Sequence, residues 1–82
     1  MHFSFNLDIR GKRGEEAMID LDDFMNNAIM LGYDEIRIVH GKGDGILRQL
    51  VRNYLKTFKQ VGKMTDENPD RGGAGVTIVH MR

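Results

Sequence analysis

Eighty-two residues, 40% of them hydrophobic, with no cysteine and a formal net charge of zero, suit one compact domain with one core and leave no room for a second. The lack of cysteine excludes a disulfide framework and a thiolate metal site, and it is compatible with a reducing, cytoplasmic setting. No apolar run approaches the ~20 residues of a membrane helix, and the first residues lack the order of a signal peptide, so no membrane partner is expected.

The first element in chain order is a strand. Phe3, Phe5, Leu7 and Ile9 alternate with Ser4, Asn6, Asp8 and Arg10, which puts Asp8 and Arg10 together on the polar side. Gly11-Lys12-Arg13-Gly14 breaks it, and Glu15 and Glu16 then stand where a helix N-terminus favours negative charge. Ala17, Leu21, Phe24, Met25, Ala28 and Leu31 recur at threes and fours, predicting a helix that runs to Gly32 as its C-terminal cap. Ile36-Arg37-Ile38-Val39 is a short β-branched strand ending at His40. Leu47, Leu50, Val51, Tyr54, Leu55 and Phe58 predict a second helix over 46–59, with Arg48, Arg52 and Lys56 on one ridge. Residues 61–65 read as a short, weakly specified strand, residues 65–74 as a loop, and Gly75 to Met81 as a closing strand. The order β-α-β-α-β-β implies a two-layer α/β domain with a mixed four-stranded sheet. Its first two strands, joined through a helix, run parallel.

Charge is segregated along the chain. Residues 15–35 hold Glu15, Glu16, Asp20, Asp22, Asp23, Asp34 and Glu35 with no lysine or arginine, whereas residues 42–63 hold Lys42, Arg48, Arg52, Lys56, Lys59 and Lys63 against Asp44 alone. A solvated surface is the plain explanation of the acidic half. The basic ridge is harder to set aside.

The stretch HGKGDG, His40 to Gly45, lies between a strand end and a helix start, where free backbone N–H groups make an anion site. Ligands of open α/β sheets gather beyond the carboxyl ends of parallel strands, so Asp8, Arg10 and His40 are expected to converge on this loop. Each signal is weak singly. Three glycines after a strand are more often a tight turn than a phosphate cradle, a lone histidine is more often a cap than a catalyst, and Asp8 with Arg10 is most simply a surface ion pair. The Gly-Lys pairs lack the remainder of a nucleotide-binding P-loop, so no nucleotide cofactor is expected. His2 and His80 have no metal-ligand spacing.

Three motifs together resemble the Smr (small MutS-related) domain. Leu7-Asp8-Ile9-Arg10-Gly11 resembles its LDxRG opening, His40 to Arg48 its HGxGxGxLR signature, and Gly72 to Val79 its closing GGxGVTIV strand. The pattern is most similar to the C-terminal Smr domain of a bacterial MutS paralogue that takes no part in mismatch recognition. Residues 1–82 are accordingly expected to be a single Smr domain cut from the C-terminus of a larger MutS-like chain, whose ATPase domains would be its partners.

The resemblance implies a fold like the C-terminal domain of translation initiation factor three. It implies nucleic-acid binding, on DNA that includes branched forms, and, as in several members of the family, nicking endonuclease activity on DNA or cleavage of RNA. Carried over by motif, Asp8 and Arg10 match the pair tied to cleavage, and His40, Gly41, Lys42, Gly43 and Gly45 match the loop. Two departures stand out: Asp44 replaces a common threonine, and Phe58-Lys59-Gln60-Val61 lacks a common His-Pro pair.

On physical grounds the loop amides, Lys42 and Arg48 would hold a phosphate, Arg10 would stabilise charge developing on phosphorus, and His40 or Asp8 would act as general base or acid. Arg52, Lys56 and Lys59 would extend the contact along the strand. If magnesium or manganese takes part, Asp8 with Asp44 is the nearby carboxylate pair. The competing reading is a non-catalytic module that grips nucleic acid, including ribosomal RNA in ribosome rescue. A third is a protein-interaction domain that uses the acidic first helix.

Overall fold

The computed structural model describes residues 5–82. Its elements are β1 (Phe5–Asp8), α1 (Gly14–Leu31), β2 (Glu35–Val39), α2 (Ile46–Leu55), β3 (Val61–Asp66) and β4 (Val76–Met81), with two short 3-10 turns, Pro69–Arg71 and Gly73–Gly75, between the last two strands. Phe3 and Ser4 of the predicted first strand, and His2, lie outside the described residues.

The four strands form one mixed sheet in the order β1-β2-β4-β3. β1 runs parallel to β2 with Leu7 opposite Ile38 and Asp8 opposite Val39. β4 is antiparallel to both of its neighbours, pairing Ile38 with Thr77 and Thr77 with Asp66. Successive side chains alternate between faces, so Leu7, Ile36, Ile38, Thr77 and Val79 look toward the helices while Asn6, Asp8, Arg37, Val39, Ile78 and His80 look the other way. The expected α/β architecture is thus the one observed.

The core lies between the sheet and α1. Ala17, Leu21, Phe24, Met25 and Ala28 are buried along α1, packed on Ile9, Ile36, Ile38 and Val79. Phe5 stacks between Phe24 and Tyr33, with ring centroids 4.4 and 4.6 Å apart. Gly32 ends α1 in the left-handed conformation, and the N–H of Tyr33 donates back to the carbonyl of Ala28 at 3.1 Å.

α2 is shorter than the sequence pattern predicts. It stops at Leu55, and Thr57 and Phe58 donate to the carbonyls of Tyr54 and Leu55 in a closing turn, so the apolar stripe continues past the helix without extending it. The third strand is better formed than its weak pattern suggests. It spans six residues because β4 supplies a full antiparallel partner, at the cost of a register shift between Val61 and Lys63. The segment 67–75 is built rather than open: Asn68 caps the first 3-10 turn by accepting from the Asp70 amide, and Glu67 pairs with Arg37 at 2.8 Å. No described helix is long and apolar enough to cross a membrane.

Candidate functional site

The site starts from the three glycines of HGKGDG. Gly41, Gly43 and Gly45 have φ of 84°, 36° and 85°, in the region that favours glycine over residues with a Cβ. This alternation lets the chain leave β2, reverse, and enter α2. The loop is also pressed onto β4: a Cβ on Gly75 would lie 3.2 Å from the Lys42 nitrogen and 3.3 Å from the Gly41 carbonyl carbon, and the amides of His40 and Gly41 both donate to the Gly75 carbonyl.

The Gly41 amide is therefore committed inward, not offered to a ligand as the sequence suggests. Asp44 is committed too, since its Oδ1 accepts the Ile46 amide at 3.1 Å and occupies the first turn of α2. That carboxylate takes the place at the helix start where an anion was expected. What remains open is the crest of the loop. Among the described residues, the amides of Lys42, Gly43, Asp44 and Gly45 donate no hydrogen bond, and Lys42 is exposed and forms no ion pair.

Asp8 and Arg10 flank the loop from the helix-free face. Arg10 Nε and Nη2 grip the two carboxylate oxygens of Asp8 at 3.0, 3.1 and 2.7 Å, and the Arg10 amide adds a bond to Oδ1 at 3.0 Å. Half of the Asp8 side chain and 64% of that of Arg10 remain exposed. These bonds from Arg10 hold the Asp8 carboxyl below the usual carboxylate range, and Asp8 in turn raises Arg10. The Arg10 stem lies against Gly41, where a Cβ would come within 3.5 Å of its Cγ.

His40 lies on the opposite face. It is only 4% exposed, and both ring nitrogens are engaged. Nδ1 is 2.9 Å from the Gly41 carbonyl, which can only accept, so Nδ1 carries the proton. Nε2 is 2.9 Å from the hydroxyl of Thr77 and must accept from it. The same hydroxyl accepts from Arg52 Nε at 3.2 Å. Burial, followed by the charges of Arg52 and Arg48, lowers the His40 pKa, against an opposing contribution from its bond to Gly41, so the ring is neutral. Arg48 and Arg52 meet at Asp66 Oδ1, at 2.9 and 2.6 Å.

The residues singled out from the sequence thus form two groups rather than one. Asp8, Arg10, Gly41 and Lys42 lie together at the carboxyl ends of β1 and β2. His40, Arg48 and Arg52 form a second, largely sheltered group behind the loop, and Lys56, at the end of α2, is exposed beyond it. Sequence reasoning missed Thr77 and Asp66. Thr77 alone carried a signal, as the one polar residue among the inward-facing positions of the closing strand.

The residues present do not make a resident divalent-metal site. Asp8 is held by Arg10, Asp44 by the Ile46 amide, and no group of three or more potential ligands occurs among the described residues. An open groove of about 1140 Å³ lies over the helix-free face between Tyr33, Arg37, Glu67 and His80 and contains none of the predicted site residues.

Residues 7–82 match the family model described as Smr domain. The chain is 42% identical over 81 residues to "Endonuclease MutS2" of Geobacillus kaustophilus, covering 99% of this chain and 10% of that protein. It is 45% identical over 78 residues to "Endonuclease MutS2" of Helicobacter pylori, covering 95% and 10%. It spans about a tenth of the length of these curated relatives. Among solved structures, the Smr domain of Thermus thermophilus MutS2 superposes with a TM-score of 0.89 at 40% identity, covering 95% of this chain and 98% of that one. YdaL, a stand-alone small MutS-related protein from Escherichia coli, gives 0.89 at 28% identity, covering 94% and 63%. With one family model covering almost all of the chain and relatives of this likeness, the chain belongs to the Smr domain family.

Proposed function

We propose that this domain binds the phosphate backbone of nucleic acid at the crest of the HGKGDG loop and cleaves a phosphodiester bond there, nicking DNA. The observation that carries this reading is the exposed Asp8–Arg10 pair seated against Gly41, beside a lysine and four amides that have no partner among the described residues. The relatives named endonucleases support it.

In this arrangement the loop amides and Lys42 hold the phosphate oxygens, and Arg10 turns from Asp8 toward the negative charge that grows on phosphorus during attack. Asp8, ionised throughout the neutral range, orients the attacking water and accepts its proton. The side-chain bonds from Arg10 help to hold its pKa down, and their release as Arg10 turns frees the Asp8 oxygens for the water and its proton. The P–O bond to the leaving sugar oxygen breaks, and that oxygen takes a proton from solvent. His40 touches no substrate. Its neutral ring ties Gly41 to Thr77 and so fixes the loop's path. Lys56 and Lys59 extend the contact in a salt-dependent, sequence-independent way.

The test is conversion of supercoiled plasmid to nicked circle by the purified domain beside Asp8→Ala and Arg10→Ala, with and without magnesium, manganese and chelator. Loss of nicking in both variants with retained DNA binding supports the reading. Equal nicking by all three proteins refutes it.

One observation favours the non-catalytic alternative: both oxygens of Asp8 and both ring nitrogens of His40 are already satisfied. In that reading the loop grips DNA or RNA, including RNA of the ribosome, while the remainder of a MutS-like ATPase performs the work. It predicts binding without nicking under every metal condition.

A further inference from the structure

We propose that Arg48 and Arg52 form a second phosphate position, which Asp66 occupies as an internal stand-in until a phosphodiester of the bound strand displaces it. This rests on the nucleic-acid reading above and adds a subsite and its gate to it.

Two guanidinium groups from successive turns of α2 converge on a single oxygen, Asp66 Oδ1, at 2.9 and 2.6 Å. Two donors on one anionic oxygen is the arrangement a backbone phosphate takes between arginines. The fork is pre-aimed, because Arg52 Nε is fixed on the buried Thr77 hydroxyl. It is also under-used: Arg48 Nε is shielded from solvent and has no hydrogen-bond partner among the described residues. One carboxylate oxygen serves both Nη2 groups and leaves that donor idle. A tetrahedral phosphate group brings more acceptor oxygens than this contact uses.

Asp66 is suited to being exchanged. It is the last residue of the edge strand β3, its side chain is 47% exposed, and ion pairs this accessible contribute little to stability. While it is in place it cancels one of the two arginine charges, and its departure exposes both. The Arg52–Thr77–His40–Gly41 chain of hydrogen bonds leads from this fork to the base of the loop, so the two phosphate positions share one frame.

The test is fluorescence anisotropy of a labelled 24-base-pair DNA duplex with the domain over a potassium chloride series. Asp66→Asn is expected to tighten binding about 3–10-fold at low salt and to steepen the log affinity against log salt slope by about 0.9, the contribution of one more neutralised phosphate. Asp66→Glu, which keeps the carboxylate, and Asp23→Asn, which removes the same charge from the far side of α1, are expected to bind like the wild type. Adding Arg52→Gln to Asp66→Asn is expected to abolish the gain.

If Asp66→Asn binds no tighter than Asp23→Asn, the gate is wrong while the nucleic-acid reading survives. If the wild type binds no duplex at any salt, that reading falls and takes this inference with it. Should Asp66→Asn fail to fold, the wild-type domain titrated with inorganic pyrophosphate decides. Shifts of the Arg48 and Arg52 Nε–H signals support the subsite, and their absence overturns it.

Discussion

The two faces of the sheet at the loop end use similar residue types in opposite ways. On the helix-free face, Asp8 and Arg10 are paired and exposed, so water and ligand reach them. On the helix side, His40 and Thr77 are buried and bonded to each other, and the partly exposed Arg52 donates to the same Thr77 hydroxyl. Buried polar groups must satisfy one another, and once they do they define geometry more than reactivity. In the proposed reading the exposed pair meets the reacting phosphate, while His40 and Thr77 support the loop.

The largest expected effect breaks the exposed face. Arg10→Ala should lower nicking by about 10²-fold or more, as removal of a donor to developing charge does elsewhere, with a smaller change in DNA affinity. Thermal melting should stay near wild type, since so exposed a pair contributes little to folding. A variant that unfolds instead would move Arg10 to the supporting side.

The next effect breaks the sheltered face. Thr77→Val keeps the side chain's shape but strands His40 Nε2 and Arg52 Nε, which should cost about 1–3 kcal/mol of stability in urea unfolding. Thr77→Ser should recover most of that loss. If Thr77→Val is as stable as wild type, the hydroxyl is not the keystone of this group.

Lys42→Ala sharpens the comparison at the loop crest. Duplex affinity should fall about 3–10-fold and the salt slope should lose about 0.9, with stability unchanged because the side chain is exposed. The smallest effect concerns pH. The folded His40 pKa lies below its ordinary value of 6.5, so the unfolded chain takes up the proton first as pH falls. The associated stability is complete above about 6.5 and is lost as pH drops through the folded value. Asp66 and Glu67, held below their ordinary 3.8 and 4.5, lose theirs only in a more acid window. Melting temperature against pH should therefore show a decline starting below about 6.5 that His40→Asn lacks, while the more acid decline persists in both proteins.

Much of this was legible in the sequence, for identifiable reasons. α1 follows its periodicity because its inward residues meet a continuous apolar sheet, and β1 and β2 follow theirs because alternation or β-branching marks a buried face. The three glycines were readable as a turn needing positive φ, and the motifs that carry them also carry the family. The end of α2 was not readable: its apolar stripe persists through Phe58, while the helix yields to a turn that feeds β3. Nor was the division of the site. Asp8 and His40 both stand at strand ends, and only the register, Asp8 opposite Val39 and Thr77 opposite Ile38, shows that they look to opposite faces. The role of Asp44 escaped for a similar reason, because its bond from the Ile46 amide depends on where the helix begins to within one residue.

The most direct test of the division between the two faces is to measure plasmid nicking and duplex binding together on the wild type and on Asp8→Asn, which keeps shape and removes charge. The account predicts that Asp8→Asn binds at least as tightly as the wild type, since it frees Arg10, while nicking falls to background. Nicking at the wild-type rate by Asp8→Asn, or none by the wild type under any metal condition, would contradict it and leave the loop as a grip on nucleic acid alone.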